Sequence, residues 1–208
     1  MKIVIDKLKN NDMLLYDSKE PISVFEDWLE LAKETEPENP NAFALATANP
    51  NGMPSVRMLL LKQVNSDGLV FYTNSKSRKG REMAKNPYAS MCFYWKTLAR
   101  QVRFEGLITE IDPELADQYF ASRSRGSQIG AWASEQSHEL FKHEDLEKNV
   151  TFYDQKFKNT EVPRPEFWRG YRLKHKRVEF WAEKTFRLHD RYVYDWSGNE
   201  WKTKRLYP

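Results

Sequence analysis

From Pro21 the apolar residues Ile22, Phe25, Trp28, Leu29 and Ala32 recur at helical spacing, which predicts a helix over residues 21–34. Pro21 sits in its first turn, where a missing N–H costs nothing, and Pro37 and Pro40 end it. The pattern then changes to short apolar runs separated by turn residues. Runs at 42–48, 56–64 and 69–73 are joined by Asn49-Pro50-Asn51-Gly52 and by Asn65-Ser66-Asp67-Gly68. Such brief connections predict antiparallel hairpins. A short helix fits 77–85 and stops at Asn86-Pro87; strands resume at 89–95 and 101–111. Asp112 is placed as an N-cap, with Pro113 next, for a helix running to about residue 123. Residues 127–160 read as helical with breaks, and strands at 171–182, 187–196 and 201–205 close the chain. Residues 1–20 are polar and weakly patterned and read as a mobile arm. No linker, repeat or low-complexity stretch divides the remainder. The expectation is one domain over 21–208, mainly β with peripheral helices, its antiparallel sheet rolled into a barrel or packed as a sandwich. Closure into a barrel would remove the exposed strand edges.

Composition sharpens this outline. The chain has 208 residues, 40% hydrophobic and 30% charged, with 7 Trp, 10 Tyr and 12 Phe. That ring content excludes a disordered chain and calls for a ring-rich core, a subunit interface, or both. The 8 glycines form no G-x-G-x-x-G and no P-loop, so a phosphate must be held by side chains or a helix N-terminus. Cys92 is alone, which excludes an intrachain disulfide and a thiolate zinc cluster. The histidines 138, 143, 175 and 189 show no metal-ligand spacing, so no metal is expected. No stretch reaches membrane length and residues 1–12 show no signal-peptide pattern; the expected compartment is the cytoplasm. A net charge of +3 is too small to argue for a nucleic-acid partner by itself.

Four segments carry candidate chemistry. In Arg187-Leu188-His189-Asp190-Arg191, strand alternation would put Arg187, His189 and Arg191 on one face, suited to a planar anion; a solvated strand face is the plain alternative. In Ser75-Lys76-Ser77-Arg78-Lys79-Gly80-Arg81, cations at a helix start oppose the macrodipole, which makes sense if an anion sits there; a charged turn is the alternative. Arg57-Met58-Leu59-Leu60-Leu61-Lys62 brackets an apolar strand with cations five apart, on opposite faces unless a bulge or twist turns one. The stretch from Ser124 to Trp132, followed by Gln136 and Ser137, offers Ser, Arg and Gln donors between helices, or ordinary loop caps.

Taken together and in this order, these segments resemble the pyridoxine/pyridoxamine 5′-phosphate oxidases over nearly the whole chain from Pro21. The most specific part is Val178-Glu179-Phe180-Trp181 followed by Arg187-Leu188-His189-Asp190-Arg191, with Arg205-Leu206-Tyr207-Pro208 at the end. The resemblance implies an FMN-binding split antiparallel β-barrel, a homodimer with FMN at the subunit interface. It implies oxidation of pyridoxamine 5′-phosphate and pyridoxine 5′-phosphate to pyridoxal 5′-phosphate, with dioxygen reduced to hydrogen peroxide. By position, the implied FMN contacts are Arg57, Met58, Leu61, Lys62, Tyr72, Thr73, Arg78, Lys79, Gln101, Gln136, Ser137, Trp181 and Arg191. The implied substrate contacts are Lys62, Tyr119, Arg123, Ser127, Arg187 and His189, with Arg187 and His189 at the reacting carbon. Three places depart from the family pattern: Ala182 follows the signature Trp, Val4 and Lys7 stand where an Arg-x-x-Tyr pattern is common, and Asn39 precedes Pro40 where Asp is common. A split-barrel flavoprotein acting on another small molecule would keep Arg78 and Lys79 without needing Arg123, Ser127, Arg187 and His189 together. A basic, aromatic nucleic-acid barrel is disfavoured by the small net charge and the scatter of the cations.

Overall fold

The computed structural model describes residues 20–208, so the expected arm, Val4 and Lys7 included, lies outside the described residues except for Glu20. Helix α1 (Pro21–Thr35) begins on its proline and turns Ile22, Phe25, Trp28, Leu29 and Ala32 inward, the face read from the spacing. Strands β1 (Ala42–Ala48), β2 (Pro54–Leu60), β3 (Gln63–Asn65) and β4 (Gly68–Asn74) follow, then α2 (Arg78–Lys85), β5 (Tyr88–Trp95) and β6 (Arg100–Glu110). Helices α3 (Pro113–Ala121), α4 (Arg125–Ala133) and α5 (His143–Lys156) precede β7 (Trp168–Ala182), β8 (Asp190–Trp196) and β9 (Trp201–Arg205). Asp112 caps α3 as expected, its carboxylate accepting from Glu114 N at 2.9 Å.

All strand pairs are antiparallel, along the path β2-β1-β5-β6-β7-β4-β3. The 15-residue β7 makes the fork: its first half also pairs with β4, its second half with β8, and β9 lies on β8. The result is the curled, split sheet that the pattern of hairpins called for. Phe25, Phe43, Phe71, Phe93, Phe104 and Phe180 fill its concave side and are fully or almost fully buried. Each ring contributes roughly 1.5–3 kcal/mol by leaving water. A second, smaller cluster under α3–α5 holds Phe120, Ile129, Phe157, Val162 and Trp168.

Two expected strands are corrected. The run at 56–64 is not continuous: Leu61 N donates to Asn41 O at 2.9 Å, whereas Lys62 N donates to Val70 O at 2.9 Å. The chain changes sheet partner between those residues, so β2 ends at Leu60 and β3 is separate. The last long run starts at Asp190 rather than at 187. Phe186 and Arg187 have φ of 57° and 62°, and a 3₁₀ turn over Thr185–Arg187 replaces the strand. Strand alternation therefore does not align Arg187 with His189 and Arg191. Of the departures from the family pattern, Ala182 is buried at the end of β7, and Asn39 takes left-handed backbone at φ 48°, which Asn tolerates.

Candidate functional site

The end of β2 with Lys62, the end of β4 and the α3–α4 pair line a cavity of about 730 Å³. At its wall the rings of Tyr72, Tyr119 and Trp168 cluster with near-parallel planes, the Tyr72 centroid 4.3 Å from that of Tyr119 and 5.0 Å from that of Trp168, and those two 6.0 Å apart. Gly170, on the strand beside Tyr72, makes this stack possible. A Cβ there would stand 2.4 Å from Ile111 Cδ1 and 2.8 Å from Tyr72 Cε1. The Tyr72 hydroxyl is buried without a hydrogen-bond partner, and burial raises its pKa.

Arg123 is seated on rings rather than on a carboxylate, 4.9 Å from the Trp168 centroid and 5.5 Å from that of Phe120. One of its terminal nitrogens, Nη1, is buried with no partner among the described residues, and desolvation pulls the guanidinium's pKa down. A buried guanidinium nitrogen without an acceptor is costly, and an anionic ligand would satisfy it. Lys62, turned into the cavity by the break between β2 and β3, lies 5.6 Å over the Tyr119 ring. Ser127, in the first turn of α4, and Met58 line the same space.

The second feature adjoins that cavity at Thr73 and Gln136. Ser77 caps α2 by accepting from Gly80 N. Lys79 is 95% buried, yet its ammonium meets only neutral acceptors: Gln136 Oε1 at 3.0 Å and the Thr73 and Ser77 hydroxyls at 3.2 Å. Burial, aided by the Arg57 charge, brings its pKa down to about 8. Beside it lies Glu82, also buried. Burial pushes its pKa up, but hydrogen bonds from Ser55, Thr47 and Arg78 outweigh that and hold it at about 2. Arg57, Arg78 and Lys79 thus face one carboxylate. Two positive charges are in excess, at the N-terminus of a helix, and that donor set fits a phosphate monoester dianion. Leu61 sends its side chain into the main core while its N–H and C=O engage Asn41. Ser137 is exposed in left-handed backbone at φ 71°.

A third group stands elsewhere, on the face of the sheet turned away from the core. Gln101, Trp181 and Arg191 form one row across β6, β7 and β8. Arg191 donates through Nε and Nη2 to Glu179, both at 2.9 Å, and Arg103 donates to the other carboxylate oxygen. Burial raises the Glu179 pKa, but the hydrogen bond from Arg191 and the two guanidinium charges outweigh it and leave it below the ordinary range. The His189 ring packs 4.7 Å from that of Trp181. Its Nδ1 accepts from Lys184 N at 3.2 Å, which places the proton of the neutral ring on Nε2. Arg187 is exposed on the left-handed turn. Among the described residues, no hydrogen bond, ion pair or ring contact joins the side chains of this group to those of the cavity. Met58, Ala44, Cys92, Arg103 and Glu179 share one cross-strand row, so the two ends are roughly 19 Å apart along the sheet.

Residues 30–156 match the family model for pyridoxamine 5′-phosphate oxidase. A pyridoxine/pyridoxamine 5′-phosphate oxidase of Maricaulis maris is 50% identical over 93% of this chain and 88% of its own length. The chain belongs to the pyridoxamine 5′-phosphate oxidase family. The oxidase of that name from a Chelativorans species is 47% identical over 99% of this chain and 98% of its own. Residues 168–208 match the C-terminal dimerisation region of pyridoxine 5′-phosphate oxidase, and Glu179, Trp181, Arg187, His189 and Arg191 of the third group fall within it. Among solved structures, PhzG from Burkholderia lata 383, in complex with tetrahydrophenazine-1-carboxylic acid, superposes with a TM-score of 0.87 at 34% identity, covering 92% of this chain and 94% of its own.

Within the family frame, four residues escaped the sequence reading: Glu82, Glu179, Trp168 and Gly170. Glu82 follows Arg78 by one helical turn, a spacing shared with any surface ion pair. Glu179 stood inside the signature without an assigned task. Trp168 and Gly170 sit just before the run read as a strand and carry no motif. No described helix is long and apolar enough to cross a membrane.

Proposed function

We propose that the protein oxidises pyridoxamine 5′-phosphate and pyridoxine 5′-phosphate to pyridoxal 5′-phosphate, using FMN held between two copies of the chain. The observation that carries this reading is a pair of anion-ready sets that meet at Thr73 and Gln136, which line the cavity and accept from Lys79. Arg57, Arg78 and Lys79 provide for one phosphate; Arg123 and Lys62, with Ser127, provide for a second. A phosphorylated cofactor and a phosphorylated substrate need both.

FMN, when bound, supplies the two-electron acceptor for the hydride that leaves C4′ of the substrate and passes the pair to dioxygen. The chain binds and orients. Arg123, Lys62 and Ser127, with the ring of Tyr119, hold the substrate phosphate. Met58, Leu61, Tyr72, Thr73, Gln136 and Ser137 line the cofactor's place on the same side. Gln101, Trp181 and Arg191 meet it from the partner copy. Arg187 and His189, also from the partner, lie against the pyridine ring near C4′, where His189 Nε2 is the group able to exchange a proton. For the alcohol the products are aldehyde and hydrogen peroxide. For the amine, water hydrolyses the imine and ammonia leaves as well.

An oxygen-uptake assay of flavin-loaded protein with each phosphate tests this. Uptake with stoichiometric pyridoxal 5′-phosphate is expected. A protein that retains flavin and consumes no oxygen with either substrate rejects the reading and favours a split-barrel flavoprotein for another molecule.

A further inference from the structure

Four side chains converge on the carboxylate of Glu82. Thr47 and Ser55, neighbours across β1 and β2, donate to Oε2 at 2.5 and 2.6 Å; Arg57 Nη2 stands 3.5 Å from the same oxygen. Arg78 Nε donates to Oε1 at 2.9 Å. Arg57 is also tied to Thr47 Oγ1 at 2.6 Å, to Leu45 O at 3.1 Å and to the Ser55 hydroxyl. Arg78 uses only Nε in this way: among the described residues its Nη1 and Nη2 make no hydrogen bond, and its side chain is 56% exposed. A strand arginine and a helix arginine, far apart in sequence, are therefore aimed at one place through one carboxylate.

A carboxylate beside an anion site opposes the anion on charge alone. Its presence makes sense if the geometry it imposes is worth more than the charge it cancels. Two long arginine side chains left free would each lose rotamer freedom when a phosphate arrived. Held by Glu82, they have lost it already.

We propose that Glu82 is a positioning residue that pre-sets Arg57 and Arg78 for the phosphate of the cofactor and so makes binding select the phosphorylated flavin. The proposal rests on the FMN reading above. It gives the opposite sign from a purely electrostatic role, in which removing Glu82 would strengthen the hold on an anion.

The test uses the full chain stripped of flavin and titrated with FMN and with riboflavin, followed by flavin fluorescence at fixed salt. Thermal unfolding of each apoprotein checks the fold. Glu82→Gln is expected to weaken FMN about tenfold and riboflavin less than about twofold, because only FMN carries the group that the arginines meet. Most of that loss should vanish in an Arg57→Ala/Arg78→Ala background, since Glu82 acts through those two side chains. FMN binding that is unchanged or tighter, an equal loss for both flavins, or a full loss persisting in Arg57→Ala/Arg78→Ala overturns the proposal. If Glu82→Gln does not fold, Ser55→Ala serves: it removes one donor to the carboxylate and is expected to weaken FMN alone, by about threefold. Unmoved FMN affinity in that variant overturns the proposal equally. Wild-type chain that binds neither flavin rejects the cofactor reading, and this one with it; wild-type binding with Glu82→Gln unmoved rejects only this one.

Discussion

On the α2 side of the molecule, Glu82 lies buried between Arg57 and Arg78; on the β7 side, Glu179 lies buried between Arg103 and Arg191. Each carboxylate is held below its ordinary pKa by the guanidiniums and donors around it. The surroundings differ. The Glu82 cluster adjoins, through Lys79, Thr73 and Gln136, a cavity whose wall carries Arg123, which meets no carboxylate among the described residues. The Glu179 cluster lies on an outward sheet face next to an exposed turn that displays Arg187. The paired arginines are fixed before any ligand arrives. Arg123, on its aromatic bed, keeps its full charge for one. The contrast matches a division between a resident phosphate and an exchanging one, and it leaves each region with half of the proposed chemistry.

The largest predicted effect tests that division directly. Arg123→Ala and Arg187→Ala should each lower turnover on the order of 10²–10³-fold while Arg187→Ala keeps its flavin. If each active site takes Arg123 from one copy and Arg187 from the other, mixing the two inactive variants under subunit exchange restores activity. Half of the dimers would then be mixed, each with one intact site, so about a quarter of wild-type activity is expected. Recovery indistinguishable from zero, in dimers shown to have exchanged, places both residues of a site on one chain.

The next effect sharpens the cavity side. Lys79 has a folded pKa of about 8, lowered from 10.5 by burial. An unfolded chain therefore binds more protons than the apoprotein between about pH 8 and 10.5, and apoprotein stability should rise with pH across that window. A bound phosphate favours the ammonium and reverses the shift. Above pH 8, FMN must bring a proton with it, so its affinity should fall by up to about tenfold per pH unit. Lys79→Met should bind more weakly throughout and show a flat profile; titration from pH 6.5 to 9.5 distinguishes the two. A wild-type profile as flat as that of the variant rejects the role given to Lys79.

Elements made by local signals were legible in the chain: α1 from its apolar spacing, α2 with its stop at Asn86-Pro87, α3 from Asp112 as a cap, most strands to within a few residues. What failed depended on distant partners. The apolar run at 56–64 carries no mark of the point where its hydrogen bonds pass from Asn41 to Val70. Phe186 and Arg187 are not residues that announce left-handed backbone, so a strand was expected through them. In the site, the cations were legible through motif resemblance. Their supports were not, because burial by β1 and β2 is what distinguishes Glu82 from a surface helix pair.

Trp168→Leu probes the aromatic bed under Arg123. Losing a cation–π contact of about 1 kcal/mol should raise KM for the phosphorylated substrate about fivefold, with flavin content unchanged and kcat within about twofold. A variant that loses flavin instead shows that Trp168 serves the cofactor side through Tyr72, its other stacking neighbour.

The smallest effect concerns the turn itself. Phe186 holds φ at 57° with its ring 91% exposed, so the chain stores strain there and recovers little by burying the side chain. A left-handed residue costs about 1–2 kcal/mol, and glycine returns about 0.5–1 kcal/mol of that as chain entropy. Phe186→Gly should therefore stabilise the chain by about 0.5 kcal/mol, read as a small rise in Tm. Turnover supplies the sharper measurement. If the rigid turn holds Arg187 in place for the partner copy, the glycine variant is more stable yet slower, because the guanidinium is now free to wander. Greater stability with unchanged turnover would show that strain at Phe186 has no part in presenting Arg187, and that β8, through the Arg191–Glu179 pair, sets its position alone.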